Sequence, residues 1–362
     1  MHHPYTLEEM LAQGDALAAD LRTLIGPTAE QVEMLLDDAR WVTASGIYLT
    51  GDGDSFHSSL ASELAFKSLA DVPCDPLSAL RLLRYGAAWD RPPALPRGTV
   101  VIAASASGRT ERVLQTLERV REHGALTLAI TTTPGSAITR AADHALVLPL
   151  TGAKPSPGIR TYQASLLGMA LTAIGLGHRR DRYSAAEAEQ LRSELLAAAG
   201  SIEATAAVAR ERCEQLAARI AHAPIMITLG SGPGYGTAQY AAAKVVEAAG
   251  VFAAGQDLEE WEHVEALARP RDMPTFVIAP PGRSHDRARA VLDRARSFGR
   301  TVIAVADAAD DELVKAADEV LPVHGEVREE FSPLLYHVFA GYLACFVARR
   351  LGRLPFETNR QA

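Results

Sequence analysis

The sequence predicts an α/β protein of two tandem doubly wound domains, each a parallel sheet covered by helices on both faces. Three observations carry that expectation. Short apolar, β-branched runs alternate with helical stretches of about ten or more residues, the pattern of parallel strands joined by crossover helices. The runs recur in the same order in the second half of the chain, at an offset of about 174 to 179 residues. Each half also opens with a glycine-rich turn directly after its first strand.

Taken in order, an N-terminal helical segment (1–40) holds a pair of helices at about Thr6–Leu24 and Thr28–Ala44, with Thr6-Leu7-Glu8-Glu9 as a capping box. The first domain (41–183) carries strands Gly46–Gly51, Thr99–Ser105, Leu126–Thr132 and His144–Leu150. A connector (184–222), rich in Ala, Leu, Glu and Arg, is helical by propensity. The second domain (223–352) repeats the strands as Pro224–Gly230, Thr275–Ala279, Thr301–Ala306 and Glu319–Val323, and a tail (353–362) follows.

Composition narrows the function. The 362 residues carry 36 basic and 44 acidic side chains, a formal charge of −8 that argues against a broad nucleic-acid-tracking surface. Cys74, Cys213 and Cys345 lie far apart, without metal-type spacing and odd in number, which points to a reduced, cytoplasmic protein. The apolar runs Ala164–Gly177 and Val338–Ala348 read as too short to span a bilayer, and Met1-His2-His3-Pro4-Tyr5 lacks a signal peptide's pattern.

The strand Thr99–Ser105 runs straight into Ser105, Ser107, Gly108 and Thr110, ahead of a helical pattern at 111–123. Small hydroxyl residues and free N–H groups at a helix N-terminus favour a phosphate. The plain structural alternative is a Ser/Thr cap on that helix, worth about 1 kcal/mol. In the second half this turn reads Pro280-Pro281-Gly282-Arg283, so one phosphate site per chain is expected.

Gly53-Asp54-Ser55, Ser105–Thr110 and Pro134–Asp143 resemble the first SIS (sugar isomerase) domain of the isomerase half of glucosamine-6-phosphate synthase. Gly230–Tyr235, Ala243–Glu247 and Glu260-Trp261-Glu262-His263 resemble its second. The resemblance covers about residues 40 to 350. It implies flavodoxin-like domains, a sugar 6-phosphate ligand and a homodimer with a site at the domain and subunit junction. Ser55, Ser105, Ser107 and Thr110 match positions that bind the phosphate, with Ala106 offering backbone only; Gly53 and Arg160 are possible substrate contacts. The residue matching Glu247 moves a proton between C1 and C2, and the one matching His263 assists ring opening; Lys244 and Glu260 complete the set, with Glu260 orienting the histidine.

The residues by themselves support part of that assignment. Tyr240, Lys244 and Glu247 stand at i, i+4 and i+7, on one helical face. Only four lysines exist, and apolar neighbours suggest a covered helix where a charged pair needs a reason. A carboxylate raised by burial can take a carbon-bound proton, and an imidazole near neutrality can shuttle one from a hydroxyl. Glu260-x-x-His263 as a metal pair lacks further ligands nearby; no metal or organic cofactor is expected.

Departures from the synthase matter as well. The chain shows no cysteine before Cys74 and no lysine after Lys315, so neither glutamine-derived ammonia nor covalent capture of a ketose by a tail lysine is expected. Arg160 and Tyr162 stand where the synthase has serine and lysine. Asp54 replaces a threonine beside the phosphate, to be offset by Arg109 or Arg160 or to cap its own turn. The layout is closer to stand-alone SIS enzymes such as fructoselysine-6-phosphate deglycases and amino-sugar-phosphate deaminases. The expectation is an isomerase, deaminase or deglycase for a phosphorylated amino sugar or N-glycated compound. The alternatives are a sugar-phosphate-binding regulator or an assembly protein on the same fold; neither nucleic acid nor membrane is an expected partner.

Overall fold

A computed structural model describes residues 5–90 and 94–357. The first residues of the N-terminus and the end of the tail lie outside the described residues. In chain order the elements are α1 (Leu7–Leu35), β1 (Gly46–Gly51), α2 (Asp54–Leu69), β2 (Cys74–Ser78), α3 (Ala79–Tyr85), β3 (Thr99–Ala104), α4 (Glu111–Glu122), β4 (Leu126–Thr131), α5 (Ala137–Ala141), β5 (His144–Val147), α6 (Arg160–Arg179) and α7 (Ala185–Ile220). There follow β6 (Ile225–Leu229), α8 (Pro233–Ala249), β7 (Phe252–Gln256), α9 (Leu258–His263), β8 (Pro274–Ala279), α10 (His285–Ser297), β9 (Thr301–Asp307), α11 (Asp311–Ala316), β10 (Glu319–Val323), α12 (Ser332–Tyr336) and α13 (Val338–Leu351).

The chain folds as two compact units. One comprises residues 19–151 and 161–197; the other comprises 1–18, 152–160 and 198–362. For brevity these are the N-terminal and C-terminal units. The division cuts α1 and α7 in mid-helix and assigns Arg160 to the C-terminal unit.

The N-terminal unit holds a wholly parallel sheet in the order β2-β1-β3-β4-β5. Its central strands β3 and β4 are buried at every position, as a parallel sheet covered on both faces requires. Val113, Leu117 and Ile138 pack on Ala103 and Ala129 from one side. The C-terminal unit repeats the topology as β7-β6-β8-β9-β10. Its core gathers Leu229, Leu258, Trp261, Val277, Val291 and Leu292. In both sheets the strand order reverses between the first and third strands, and the crevice beyond their carboxyl ends is where ligands bind in such folds.

Four sequence expectations need correcting. The N-terminal helical pair is one helix, α1, that runs through Pro27. Leu21, Leu24, Ile25, Val32 and Leu35 are all buried, so a continuous apolar face outweighs the lost hydrogen bond. The half-formed capping box survives, with the Glu9 N–H donating to Thr6 Oγ1 at 3.1 Å, while the Glu9 carboxylate turns to Gln13 and the Lys154 N–H. Strands β2 and β7 were not legible: Cys-Asp-Pro-Leu-Ser and Phe-Ala-Ala-Gly-Gln lack β-branched residues, and each forms only at a sheet edge, where Pro76 is tolerated. Glu329–Leu351 is long and apolar enough to cross a membrane, but it is broken between α12 and α13, and its residues from Phe331 to Ala348 are all buried in the C-terminal unit.

Finally, Leu334–Ala348 reads from sequence as apolar surface for a partner to cover. Every residue from Phe331 to Ala348 is buried within the C-terminal unit instead, because α13 packs along α8 and serves as that unit's core helix.

Candidate functional site

In the N-terminal unit, the turns after β1 and β3 flank the reversal in strand order. Gly53 is the N-cap of α2 with φ 55° and ψ −129°, a conformation closed to most side chains. Gly232, its counterpart before α8, repeats these angles almost identically at 55° and −128°, so the duplication extends to the backbone of the turn. Asp54 is therefore the first helical residue and not the cap read from sequence; its carboxylate lies 3.8 Å from His57 Nδ1. Ser55 follows, half-buried, its carbonyl accepting the Ser58 and Ser59 hydroxyls.

The β3 turn gathers the other predicted residues. Ser105 is buried and its hydroxyl lies 3.0 Å from that of Thr110. Thr110 is the N-cap of α4 yet makes no side-chain cap bond, so the capping alternative is not what the hydroxyl does. Ser107 and Arg109 are exposed. The Gly108 N–H closes the turn onto the Ser105 carbonyl at 3.0 Å, and the Gly108 carbonyl accepts the Ile138 N–H at 3.0 Å. The Ala106 carbonyl is reached by the hydroxyls of Thr131, Thr132 and Thr133 at 3.1, 3.1 and 2.9 Å. Thr131 and Thr132 were read only as a strand end, and Thr133 not at all. Nearby, burial raises the Asp52 carboxyl above its ordinary range, against the Ala79 N–H and Arg112.

In the C-terminal unit, Tyr240 and Lys244 have no exposed surface. The Lys244 ammonium sits 5.2 Å from the Tyr240 ring centroid and in contact with the Glu247 carboxylate. The Glu247 side chain is 26% exposed, on the last turn of α8, and its carbonyl accepts the Phe356 N–H at 2.7 Å. His337, which the sequence did not single out, stands edge-on to Tyr240 at 5.7 Å. Complete burial pushes its imidazole down to about 3, so it is neutral at physiological pH.

His263 ends α9, with its side chain 66% exposed. Its Nε2 lies 3.2 Å from Glu259 Oε1, so the orienting carboxylate is Glu259 at i−4, and Glu260 stays exposed without that role. Helix α9 is capped by Asp257, which accepts the Glu259 N–H at 2.9 Å and the Ser231 hydroxyl at 2.5 Å. Glu259 and Glu262 pair with Arg287 on α10. The buried Arg300 guanidinium donates to the carbonyls of Glu265, Ala266, Ala268 and Pro270 and pins the loop beyond. The fold thus joins Lys244 to Glu247 but gives His263 its polar contact elsewhere, with Glu259. Arg160 is buried at the start of α6, its N–H 3.5 Å from the Gln13 side chain. Among the described residues no group of three His, Cys, Asp or Glu side chains is placed to hold a metal.

The turn after β8 is closed. The Arg283 N–H and guanidinium both bond the Glu329 carboxylate, whose side chain is 13% exposed.

Comparison with known proteins finds the same family twice along the chain. The SIS domain family model matches residues 42–173 and again 219–346. The glutamine–fructose-6-phosphate aminotransferase (isomerizing) of Methanothermobacter thermautotrophicus is 30% identical over 315 residues, covering 86% of this chain and 50% of that protein. The Streptomyces coelicolor protein of the same name is 28% identical, covering 96% and 56%. The chain spans about half the length of these curated relatives. Among solved structures, the C-terminal domain of glucosamine-fructose-6-phosphate aminotransferase from Francisella tularensis superposes with a TM-score of 0.82 at 19% identity, covering 99% of each chain. Glucosamine-6-phosphate deaminase from Thermotoga maritima gives 0.69 at 16%, covering 94% and 98%.

Proposed function

Because the chain belongs to the SIS-domain family, we propose that it is a sugar-phosphate enzyme: an isomerase, deaminase or deglycase acting on a phosphorylated amino sugar or an N-glycated sugar 6-phosphate. The observation that carries this reading is Lys244, an ammonium with no exposed surface held against the Glu247 carboxylate. Burying an ammonium costs several kcal/mol in desolvation, which an apolar residue at the same place avoids. A proton-transfer site has a use for it, since a fixed positive charge beside the base stabilises the enediolate that forms when a carbon-bound proton leaves.

The reaction has two requirements, a grip on the phosphate and a route for protons. Ser55, Ser105, Ser107 and Thr110 grip the phosphate with their hydroxyls, joined by N–H groups of the turn at Ala106, and Gly53 keeps the neighbouring turn free of side chain. His263 takes the proton of the anomeric hydroxyl and returns it to the ring oxygen as the anomeric carbon–ring oxygen bond breaks, and Glu247 then carries a proton between C1 and C2 of the open chain. The product then either loses its amine to water or leaves as the isomer. The exposure of His263 on α9 supports a homodimer in which that imidazole completes its surroundings at a subunit junction. Light scattering is expected to give a dimer; an active monomer at micromolar concentration rules the junction out.

Glu247→Gln keeps a hydrogen-bond acceptor for Lys244 and is expected to retain the fold and phosphate affinity while lowering kcat by roughly 10² to 10⁴. It also abolishes exchange of the substrate's C1 or C2 hydrogen with deuterated water, read by NMR on fructose 6-phosphate, glucosamine 6-phosphate and a glycated-amine 6-phosphate. Full exchange in the variant refutes the mechanism. A wild-type protein that binds these compounds and exchanges none is instead a sugar-phosphate-binding regulator.

A further inference from the structure

We propose that Thr131, Thr132 and Thr133 form a positioning clamp that aims the Ser107 N–H at a bound phosphate by holding the Ala106 carbonyl from behind. The inference rests on the reading of Ser105–Thr110 as a phosphate site and adds to it three residues that line no ligand themselves.

In a strand, successive side chains point to opposite faces. Thr131 is the last residue of β4, and there the chain leaves the sheet, so three consecutive hydroxyls converge on one atom, the Ala106 oxygen, at 3.1, 3.1 and 2.9 Å. A carbonyl oxygen has two lone pairs; three donors within reach make the anchor redundant. Threonine is suited to the task because its branched side chain is stiff about χ1 and gives up little freedom when held.

The consequence follows from the geometry of the peptide unit. In a planar trans peptide the carbonyl and the N–H of the next residue point in opposite directions. Tying the Ala106 carbonyl toward the end of β4 therefore turns the Ser107 N–H away from it. The neighbouring backbone is held from β4 and α5: the Ser105 N–H donates to the Ile130 carbonyl at 3.0 Å, and the Gly108 carbonyl accepts the Ile138 N–H at 3.0 Å. The Gly108 N–H is spent on the Ser105 carbonyl, and the Arg109 N–H leans on Ser107 Oγ at 3.4 Å. No acceptor among the described residues takes the Ser107 N–H. A donor fixed in direction before the anion arrives loses no orientational freedom on binding, which is how preorganisation raises affinity.

The test is calorimetric titration of the full chain with inorganic phosphate and with fructose 6-phosphate, comparing wild type, Ser107→Ala, and two triple variants in which Thr131, Thr132 and Thr133 are all changed to Val or all to Ser. Valine keeps the shape and removes the hydroxyls; serine keeps the hydroxyls. The triple valine variant is expected to raise Kd for both ligands by the same factor, about tenfold or more, and the triple serine variant to stay within about threefold of wild type. Ser107→Ala weakens binding of both ligands as well. If Ser107→Ala weakens binding and the valine variant does not, the clamp is refuted while the phosphate site stands. If wild type binds neither ligand, the phosphate site itself falls and takes the clamp with it; if neither Ser107→Ala nor the valine variant changes Kd, the clamp is refuted and the Ser107 hydroxyl leaves the phosphate site. Should the triple valine variant fail to fold, the Thr132→Val/Thr133→Val pair, away from the buried Thr131, carries the test: it leaves one donor for two lone pairs, so Kd is expected to rise for both ligands and to return with the matching serine pair, and an unchanged Kd refutes the clamp.

Discussion

His337 titrates unlike any histidine in water, because it is completely buried and its charged form is excluded. The folded value of about 3 lies below the ordinary 6.5, so between those values the unfolded chain binds the extra proton and folding gives it up. Stability is therefore full above pH 6.5 and falls as the pH drops toward 3, by about 1.4 kcal/mol per pH unit for this one proton. His337→Phe, which keeps a ring beside Tyr240, is expected to flatten the acid side of a urea-midpoint profile measured from pH 7 to pH 4. An unchanged slope would show that His337 titrates normally. Its surroundings were partly legible: the i, i+4, i+7 spacing put Tyr240, Lys244 and Glu247 on one face, whereas His337 lies nearly a hundred residues on and meets Tyr240 only through the packing of α12 and α13 on α8. The partner of His263 was misread by one residue, since both Glu259 and Glu260 stand at helical spacing and only the path of α9 selects between them.

Pro27 shows how an element can defy its own signals. It sits exposed inside α1, where it supplies no N–H to the helix, and the buried residues on either side keep the helix whole. Pro27→Ala is expected to stabilise the protein by about 1–3 kcal/mol, less the entropy alanine returns to the unfolded chain. Chemical denaturation measures it, and a destabilised variant would mean that the helix is shaped around the proline. Edge strands β2 and β7 are the opposite case, with poor strand signals but a neighbour whose free edge recruits them. Helix α13 was misjudged for a third reason: an apolar helix bound for a partner and one bound for a core have the same composition.

At the scale of the whole chain, the duplication gives two sheets of one topology and two glycine turns of one geometry, but the third-strand turns have diverged. The first keeps its hydroxyls and an unspent N–H; the second fills itself with the Glu329 carboxylate, which occupies the Arg283 N–H and guanidinium as an anion would. One equivalent of sugar phosphate per chain is the expected stoichiometry in calorimetry. Two equivalents would mean that a ligand displaces Glu329.

The fold class, the repeat and the Ser105–Thr110 turn followed from sequence alone, because strand periodicity, glycine at a positive φ and hydroxyls at a helix N-terminus are local facts written within a few residues of where they act. The tertiary structure alone decided what lies behind those residues. Three threonines meet one carbonyl because a strand ends, a histidine meets Tyr240 because α12 and α13 return against α8, and an apolar helix is core because its own unit covers it. Each is a contact between segments distant in sequence, set by packing that no local pattern records.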